Sequence, residues 1–121
     1  MIGIGSDLVD IERMRAVLER TPRLRERLFR PDERSYADQK ADPTERYAAR
    51  FAAKEAVMKS LGLGLGEVAM FDIEVVRADS GAPAVVLHGQ AREVAEARGV
   101  TRFHLSLTHS ETSAHAMVIA E

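Results

Sequence analysis

The stretch that decides the fold is TERYAARFAAKEAVMKSL, residues 44–61, which stops at Gly62. Its alanine content predicts a long helix, and Thr44 is the predicted N-cap. Around this helix, apolar patterns and turn residues predict further helices over residues 11–20, 22–29, 31–40 and 90–98, and strands over residues 2–9, 71–78, 84–88, 102–108 and 114–120. Together they predict one α+β domain, residues 1–121, with a long central helix packed on an antiparallel sheet.

Composition limits the classes of function. The chain has 121 residues, 45% of them hydrophobic, which suits one domain with its own core. It contains no cysteine, so it has neither disulfides nor a thiol metal site. Its start has no basic region of a signal peptide, and no apolar run reaches the roughly 20 residues of a membrane helix. We therefore expect a cytoplasmic protein without membrane contact, and the net charge of −2 argues against nucleic acid as a partner.

Arginines are concentrated in one part of the chain. Residues 13–34 contain eight arginines and only four acids, a net charge of +4 within a chain that carries −2. A compact basic face on an acidic protein indicates a specific acidic partner. The alternative is a solvated helix surface whose arginines pair with acids four residues away, and the charge run alone favours that alternative.

Two carboxylates stand out as candidate metal ligands. Asp7 lies in an otherwise apolar strand that contains two glycines, where a charge is costly unless something compensates it. Glu55 lies on the long helix among small residues that leave room around it. A pair of carboxylates suits Mg²⁺, which takes few protein ligands and completes its shell with phosphates and water. In the alternative reading, Asp7 caps a turn and Glu55 pairs with Lys59, and the spacing alone does not separate the two readings.

The long helix also carries a basic ridge formed by Arg46, Arg50 and Lys54, with Lys59 nearby. Like charges four residues apart repel, and an anionic ligand would remove that conflict. Phosphates suit arginine forks and lysine point charges, and the glycine loop that begins at Gly62 would admit such a ligand. The alternative is a solvated ridge paired with acids elsewhere in the fold.

His109 ends a predicted strand, where it could contact a phosphate or transfer a proton, although most histidines in such turns are surface residues. The four histidines lack zinc-ligand spacing on one helix face, and no Gly-x-Ser-x-Gly elbow exists.

Five motifs occur in a characteristic order along almost the whole chain. They are GIGSD at 3–7 followed by Arg13, Phe29 with Glu33, RFAAKEA at 50–56 with Lys59 and Gly62, the turn from Gly81 to Pro83, and SLTH at 106–109. In these motifs the chain resembles the bacterial holo-(acyl-carrier-protein) synthase family, the small type of phosphopantetheinyl transferase.

The resemblance implies an activity and a set of site residues. Family members use Mg²⁺ to transfer the phosphopantetheine arm of coenzyme A to a serine of an acyl carrier protein, which supports fatty acid or polyketide biosynthesis. The other product is adenosine 3′,5′-bisphosphate. The metal ligands would be Asp7 and Glu55, and the catalytic residues would be Asp7, Glu55 and Lys59. The proton acceptor would be Glu55 or a metal-bound water that it orients. Coenzyme A would contact Arg50, Lys54, Lys59, Gly62, Gly81, Pro83 and His109.

The same resemblance identifies a partner and an assembly. The acidic carrier protein would dock on Arg13, Val17, Arg20, Arg23, Leu24 and Arg27. The fold would be half of a larger pseudo-dimeric transferase, and the protein would form homotrimers with sites between subunits. Two rival readings remain at this point: another magnesium-dependent nucleotide transferase or phosphohydrolase, and a non-catalytic module that docks an acidic protein. Only the catalytic readings need both Asp7 and Glu55.

Overall fold

The structure is a computed structural model that describes residues 1–121. Its helices are α1 (Ile11–Arg20), α2 (Leu24–Leu28), α3 (Pro31–Ala37), α4 (Thr44–Ser60) and α5 (Gly89–Ala97). Its strands are β1 (Gly3–Asp10), β2 (Ile73–Arg77), β3 (Pro83–Leu87), β4 (Phe103–His109) and β5 (Ser113–Ala120). The predicted α+β domain with a long central helix on an antiparallel sheet is confirmed. No helix combines the length and the apolar character needed to cross a membrane.

The main sheet has three antiparallel strands in the order β1–β5–β4, and β2 and β3 form a separate antiparallel hairpin. Helix α4 packs on one face of the main sheet, where Ala114, Ala116 and Val118 are fully buried. The opposite face has no covering element and exposes the apolar side chains of Ile2, Ile4, Leu8 and Met117. The sheet therefore carries apolar side chains on both faces, although only one face is covered within the chain, and the uncovered face also carries the hydrogen-bonded pair Ser6 and His115.

Glycines allow β1 to lie unusually close to α4. A Cβ atom added at Gly3 would lie 1.8 Å from the carbonyl oxygen of Ser60, and one added at Gly5 would lie 1.8 Å from that of Ala56. No side chain fits in either place, so the two glycines permit direct contact between the strand and the helix backbone. Because side chains alternate along a strand, Asp7 faces α4 as well.

Three element boundaries differ from the sequence expectations by more than one residue. Helix α2 begins at Leu24, since the residues before it form a turn, and α3 ends at Ala37 because residues 39 and 40 make i→i+3 bonds. Residues Met70–Asp72 form a 3₁₀ turn, so β2 begins only at Ile73. The predicted N-cap of α4 is also wrong. Thr44 is already helical, and the carboxylate of Asp42 accepts its amide at 3.2 Å and its hydroxyl at 2.8 Å.

Candidate active site

Strand β1 and helix α4 bring the three predicted catalytic residues together. The Lys59 ammonium donates to Asp7 Oδ1 and to the carbonyl oxygen of Ser6, both at 3.0 Å. Glu55 lies one turn before Lys59 on the same helix and lines a cleft with Asp7. The alternative in which Glu55 pairs with Lys59 does not hold here, because Lys59 pairs with Asp7. We call this space, of about 620 Å³, the carboxylate cleft.

The electrostatics of the carboxylate cleft favour a cation. Burial raises the pKa of Glu55, and the negative charge of Asp7 raises it further, while Lys59 opposes both effects. The charge of Asp7 is thus close enough to disfavour the ionisation of Glu55. The chain has no group of three or more acidic, histidine or cysteine side chains that could hold a metal. The pair fits Mg²⁺, whose remaining ligands can be phosphate and water oxygens.

The eight arginines of residues 13–34 divide into two groups. In the first group the side chains contact acids, aromatic rings or backbone carbonyls, and its members are Arg15, Arg25, Arg30 and Arg34. Those that are exposed and take part in no ion pair are Arg13, Arg20, Arg23 and Arg27. The second group contains all four arginines predicted to dock a partner, and the alternative of i,i+4 pairs with Glu19 or Glu26 is not formed. Arg13, Val17 and Leu24 also line the carboxylate cleft, so the predicted docking surface borders the predicted metal ligands.

A second cleft lies elsewhere on α4 and gathers three other predicted residues. Arg50, Gly81 and Pro83 line a space of about 310 Å³ between α4, the β2–β3 turn and β4. We call it the arginine cleft. Its wall also includes Tyr36 and Arg77, which the sequence analysis missed. Arg77 directly precedes the turn that the sequence did identify, but nothing in the local pattern shows that α3 brings Tyr36 there.

The structure corrects the expectation for Lys54. Its side chain is fully buried, and its ammonium pairs with Glu33 at 2.8 Å and donates to the carbonyls of Met70 and Ile73. Burial lowers the pKa of Lys54, while Glu33 opposes that shift. Glu33 also accepts the backbone amides of Arg30 and Val75. Lys54 therefore cannot contact coenzyme A, and it joins α4 to α3 and to the β2–β3 hairpin instead.

The last two predicted contacts lie at opposite ends of α4. Gly62, with φ +70°, ends the helix and lines a shallow groove with Lys59 and Arg98. His109 ends β4 near the start of the helix, where its Nε2 lies 3.4 Å from a carboxylate oxygen of Glu45. It does not line the arginine cleft, although the neighbouring residues 105–107 do.

Comparison with known proteins agrees with this arrangement. A sequence model described as the 4′-phosphopantetheinyl transferase superfamily matches residues 3–117, so the chain belongs to that superfamily. Among its relatives, the holo-[acyl-carrier-protein] synthase of Clavibacter sepedonicus is 50% identical over 119 residues, which cover 98% of this chain and 94% of the relative. The resemblance inferred from the motifs is confirmed.

Solved structures show the same fold. The holo-[acyl-carrier-protein] synthase of Neisseria meningitidis superposes with a TM-score of 0.89 at 33% identity, covering 100% of this chain and 99% of the other. The Helicobacter pylori synthase in complex with coenzyme A gives a TM-score of 0.85 at 28% identity, covering 98% and 99% of the two chains.

Proposed function

We propose that this chain is a holo-[acyl-carrier-protein] synthase. It transfers the 4′-phosphopantetheine arm of coenzyme A to a serine of apo acyl carrier protein and releases adenosine 3′,5′-bisphosphate. The observation that carries the proposal is that Asp7 and Glu55 share one cleft with three of the predicted docking residues, Arg13, Val17 and Leu24. A transferase needs its metal ligands beside its acceptor's docking surface, whereas a docking module would not need them.

Magnesium is the metal that we propose for Asp7 and Glu55. Bound there, it would neutralise charge on the pyrophosphate of coenzyme A as the phosphoryl bond breaks. Burial, and after it the negative charge of Asp7, raises the pKa of Glu55, and this disfavoured negative charge in the cleft is the feature that supports a cation there. Lys59, which pairs with Asp7, has a half-exposed side chain and can turn its ammonium towards a phosphate oxygen.

The chain's own residues account for the proton and the leaving group. The serine hydroxyl oxygen attacks the phosphorus on the pantetheine side, and the bond to the bridging oxygen breaks. Glu55 accepts the serine proton, either directly or through a water that it orients. Lys59 offsets the charge that develops on the leaving nucleotide.

We propose that the enzyme is a homotrimer with its sites between subunits. The carboxylate cleft and the arginine cleft share no lining residue, although the resemblance assigns both to one coenzyme A molecule. A neighbouring copy would bring one of each together. The uncovered face of the main sheet, where Ile4 is 55% and Leu8 66% exposed, is the apolar surface that such copies can bury.

We propose a cytoplasmic location and an acyl carrier protein of fatty acid or polyketide synthesis as the acceptor. A chain without cysteine has no disulfide to form in an oxidising compartment. The exposed arginines of α1 and α2 complement an acidic carrier surface.

The test is incubation of the protein with coenzyme A, Mg²⁺ and an apo carrier protein, followed by the intact mass of the carrier. We expect the carrier to gain one phosphopantetheine group, and a carrier whose acceptor serine is alanine to gain none. Glu55→Gln should be inactive under the same conditions. Carrier binding without any gain of mass would instead favour the docking module, and consumption of coenzyme A without modification would favour a phosphohydrolase.

A further inference from the structure

The uncovered face of the main sheet carries one hydrogen-bonded polar pair among its apolar side chains. His115 lies on β5, the central strand of the sheet, and its Nε2 lies 2.8 Å from the hydroxyl oxygen of Ser6 on β1. The residues directly opposite His115 are Leu8 on β1 and Thr108 on β4. Met117 lies two residues further along β5 on the same face. Leu8 is 66% and Met117 41% exposed, so the half-buried imidazole lies beside apolar side chains that the fold leaves uncovered.

No carboxylate neutralises His115. The charged or titratable groups at this face are Asp10 at the end of β1, Arg102 and His104 around the start of β4, and Glu121 after β5. Glu121 pairs with both residues of the β4 end, and Asp10 caps α1. Asp7 points to the covered face, where it pairs with Lys59. No helix or strand packs on the uncovered face, and His115 forms no ion pair.

The chemistry of this face suits a second copy of the same chain. Its few charges lie at the two ends, where each already has a partner or caps a helix. A strongly charged partner would therefore find no matching charge at the centre of the face. A nearly neutral apolar surface can be buried against an identical surface without repulsion. The inference that follows rests on the proposed homotrimer, whose copies bury this face.

We propose that His115 makes the assembly of the protein sensitive to pH, because the copies associate around a neutral imidazole and separate when it gains a proton. Histidine is the side chain that ordinarily changes its charge between pH 5 and 8. A neutral ring can be buried together with its hydrogen bond to Ser6. A buried cation without a carboxylate partner is strongly disfavoured, whereas water solvates the same charge in the free copies. The free copies therefore bind the proton more tightly than the assembly does, and by linkage the association weakens as the pH falls.

The experiment measures the dissociation constant of the assembly by sedimentation velocity of the full chain, over a dilution series at pH 8 and at pH 5.5. We expect the constant of the wild type to be at least about tenfold higher at pH 5.5, because an ordinary histidine, with a pKa of about 6.5, is mostly protonated there. His115→Gln cannot gain the proton, so its constants at the two pH values should agree within about twofold. His115→Lys carries a charge at both pH values and should dissociate as readily at pH 8 as the wild type does at pH 5.5.

The matched control is His104→Gln, which removes the other histidine of the same face. His104 lies 3.4 Å from a carboxylate oxygen of Glu121, so its charge is compensated and the variant should keep the pH response of the wild type. Circular dichroism at both pH values checks that each variant is folded. If His115→Gln does not assemble at pH 8, His115→Ala takes its place, since it cannot gain a proton either.

The outcomes separate this inference from the proposed function. A wild type with the same dissociation constant at pH 8 and pH 5.5, or a pH response that survives in His115→Gln, would overturn the role of His115 and leave the homotrimer and the transferase proposal intact. A response that His104→Gln also loses would overturn it too. A wild type that is monomeric at every concentration and pH would overturn this inference together with the homotrimer. The intact mass of the carrier tests the transfer activity separately from all of these results.

Discussion

The two clefts of this molecule differ in almost every property although α4 builds both. The carboxylate cleft holds two acids beside apolar walls and exposed arginines, whereas the arginine cleft holds guanidinium groups around one aromatic ring. Glu55 and Arg50 are five residues apart, which places them about 140° apart around the helix axis. One helix can therefore present a cation site and an anion site to different ligand groups without mutual neutralisation.

The residues of the motif RFAAKEA, which contains both Arg50 and Glu55, have different structural roles. Ala52, Ala53 and Ala56 are fully buried in the core, and the backbone of Ala56 lies directly against Gly5 of β1. Lys54 is buried too, and its ammonium donates to the carbonyls of Met70 and Ile73, where the β2–β3 hairpin begins. This hairpin carries part of the arginine cleft. The motif RFAAKEA thus serves two clefts and the core between them.

The largest expected effect is the loss of turnover in the carboxylate cleft. Asp7→Ala and Glu55→Ala should each reduce transfer by at least about a thousandfold, because each removes a hard oxygen ligand from a two-ligand metal site. Steady-state assays across a Mg²⁺ series measure this loss, and circular dichroism checks the fold. Near-normal turnover of either variant at limiting Mg²⁺ would contradict the shared metal site.

A mixture of two variants, each damaged in a different cleft, tests whether one active site is formed by two copies of the chain. Asp7→Ala and the double variant Arg50→Gln/Arg77→Gln are co-expressed with different tags, purified as mixed assemblies and assayed at low coenzyme A. About a third of the wild-type rate should return, because only one of the three interfaces in a mixed trimer joins an intact carboxylate cleft to an intact arginine cleft.

The control for this mixture combines Asp7→Ala with Glu55→Ala, two lesions in the same cleft. That combination should stay inactive, since no pair of copies can supply an intact carboxylate cleft. If the first mixture is no more active than its components, each copy uses its own two clefts.

Sequence reasoning predicted the carboxylate cleft far better than the arginine cleft. Asp7 and Glu55 could be found because a charge in a glycine-rich apolar strand and one among alanines are anomalies visible locally, and motif resemblance agreed. Helical spacing placed Lys54 on the same ridge as Arg50, but spacing cannot show that Glu33 and two carbonyls enclose it. Tyr36 was missed because its three arginine contacts join separate elements, and no local pattern encodes such contacts.

Breaking the buried pair behind the arginine cleft should cost stability. Lys54→Met leaves the charge of Glu33 buried without its partner and should lower the free energy of unfolding by about 3–5 kcal/mol, measured by urea denaturation. Lys54→Met/Glu33→Gln removes both charges and should recover part of the loss. The matched control is Lys59→Met, an exposed lysine of the same helix, which should cost less than about 1 kcal/mol. Equal losses at the two lysines would refute the structural role of Lys54.

Charge reversal beside the carboxylate cleft should give a moderate effect on the partner alone. Arg23→Glu should raise KM for the carrier protein about tenfold at low salt and leave coenzyme A affinity unchanged, because exposed charges act mainly on the association rate. The difference from wild type should shrink at high salt, where screening removes the attraction in both proteins. Arg92→Glu on α5 is the control. Stopped-flow association rates that are the same for Arg23→Glu and wild type at every salt concentration would exclude α2 from the docking surface.

The smallest expected effect concerns the ionisation of Glu55 in metal-free protein. Because burial and Asp7 raise its pKa in the folded state, the folded protein binds this proton more tightly than the unfolded chain, and Glu55 lowers stability as pH rises through the raised pKa. Below the ordinary carboxyl pKa both states are protonated and the effect vanishes. Glu55→Gln should therefore melt roughly 2–4 °C above wild type at pH 8 in a chelator, and the gap should close as the solution is acidified. Glu111→Gln, which changes an exposed loop carboxylate, should show no such pH-dependent gap. A Glu55→Gln difference that stays constant from pH 8 to pH 4 would mean that the carboxylate cleft does not disfavour the charge of Glu55, and the main electrostatic contrast between the two clefts would be lost.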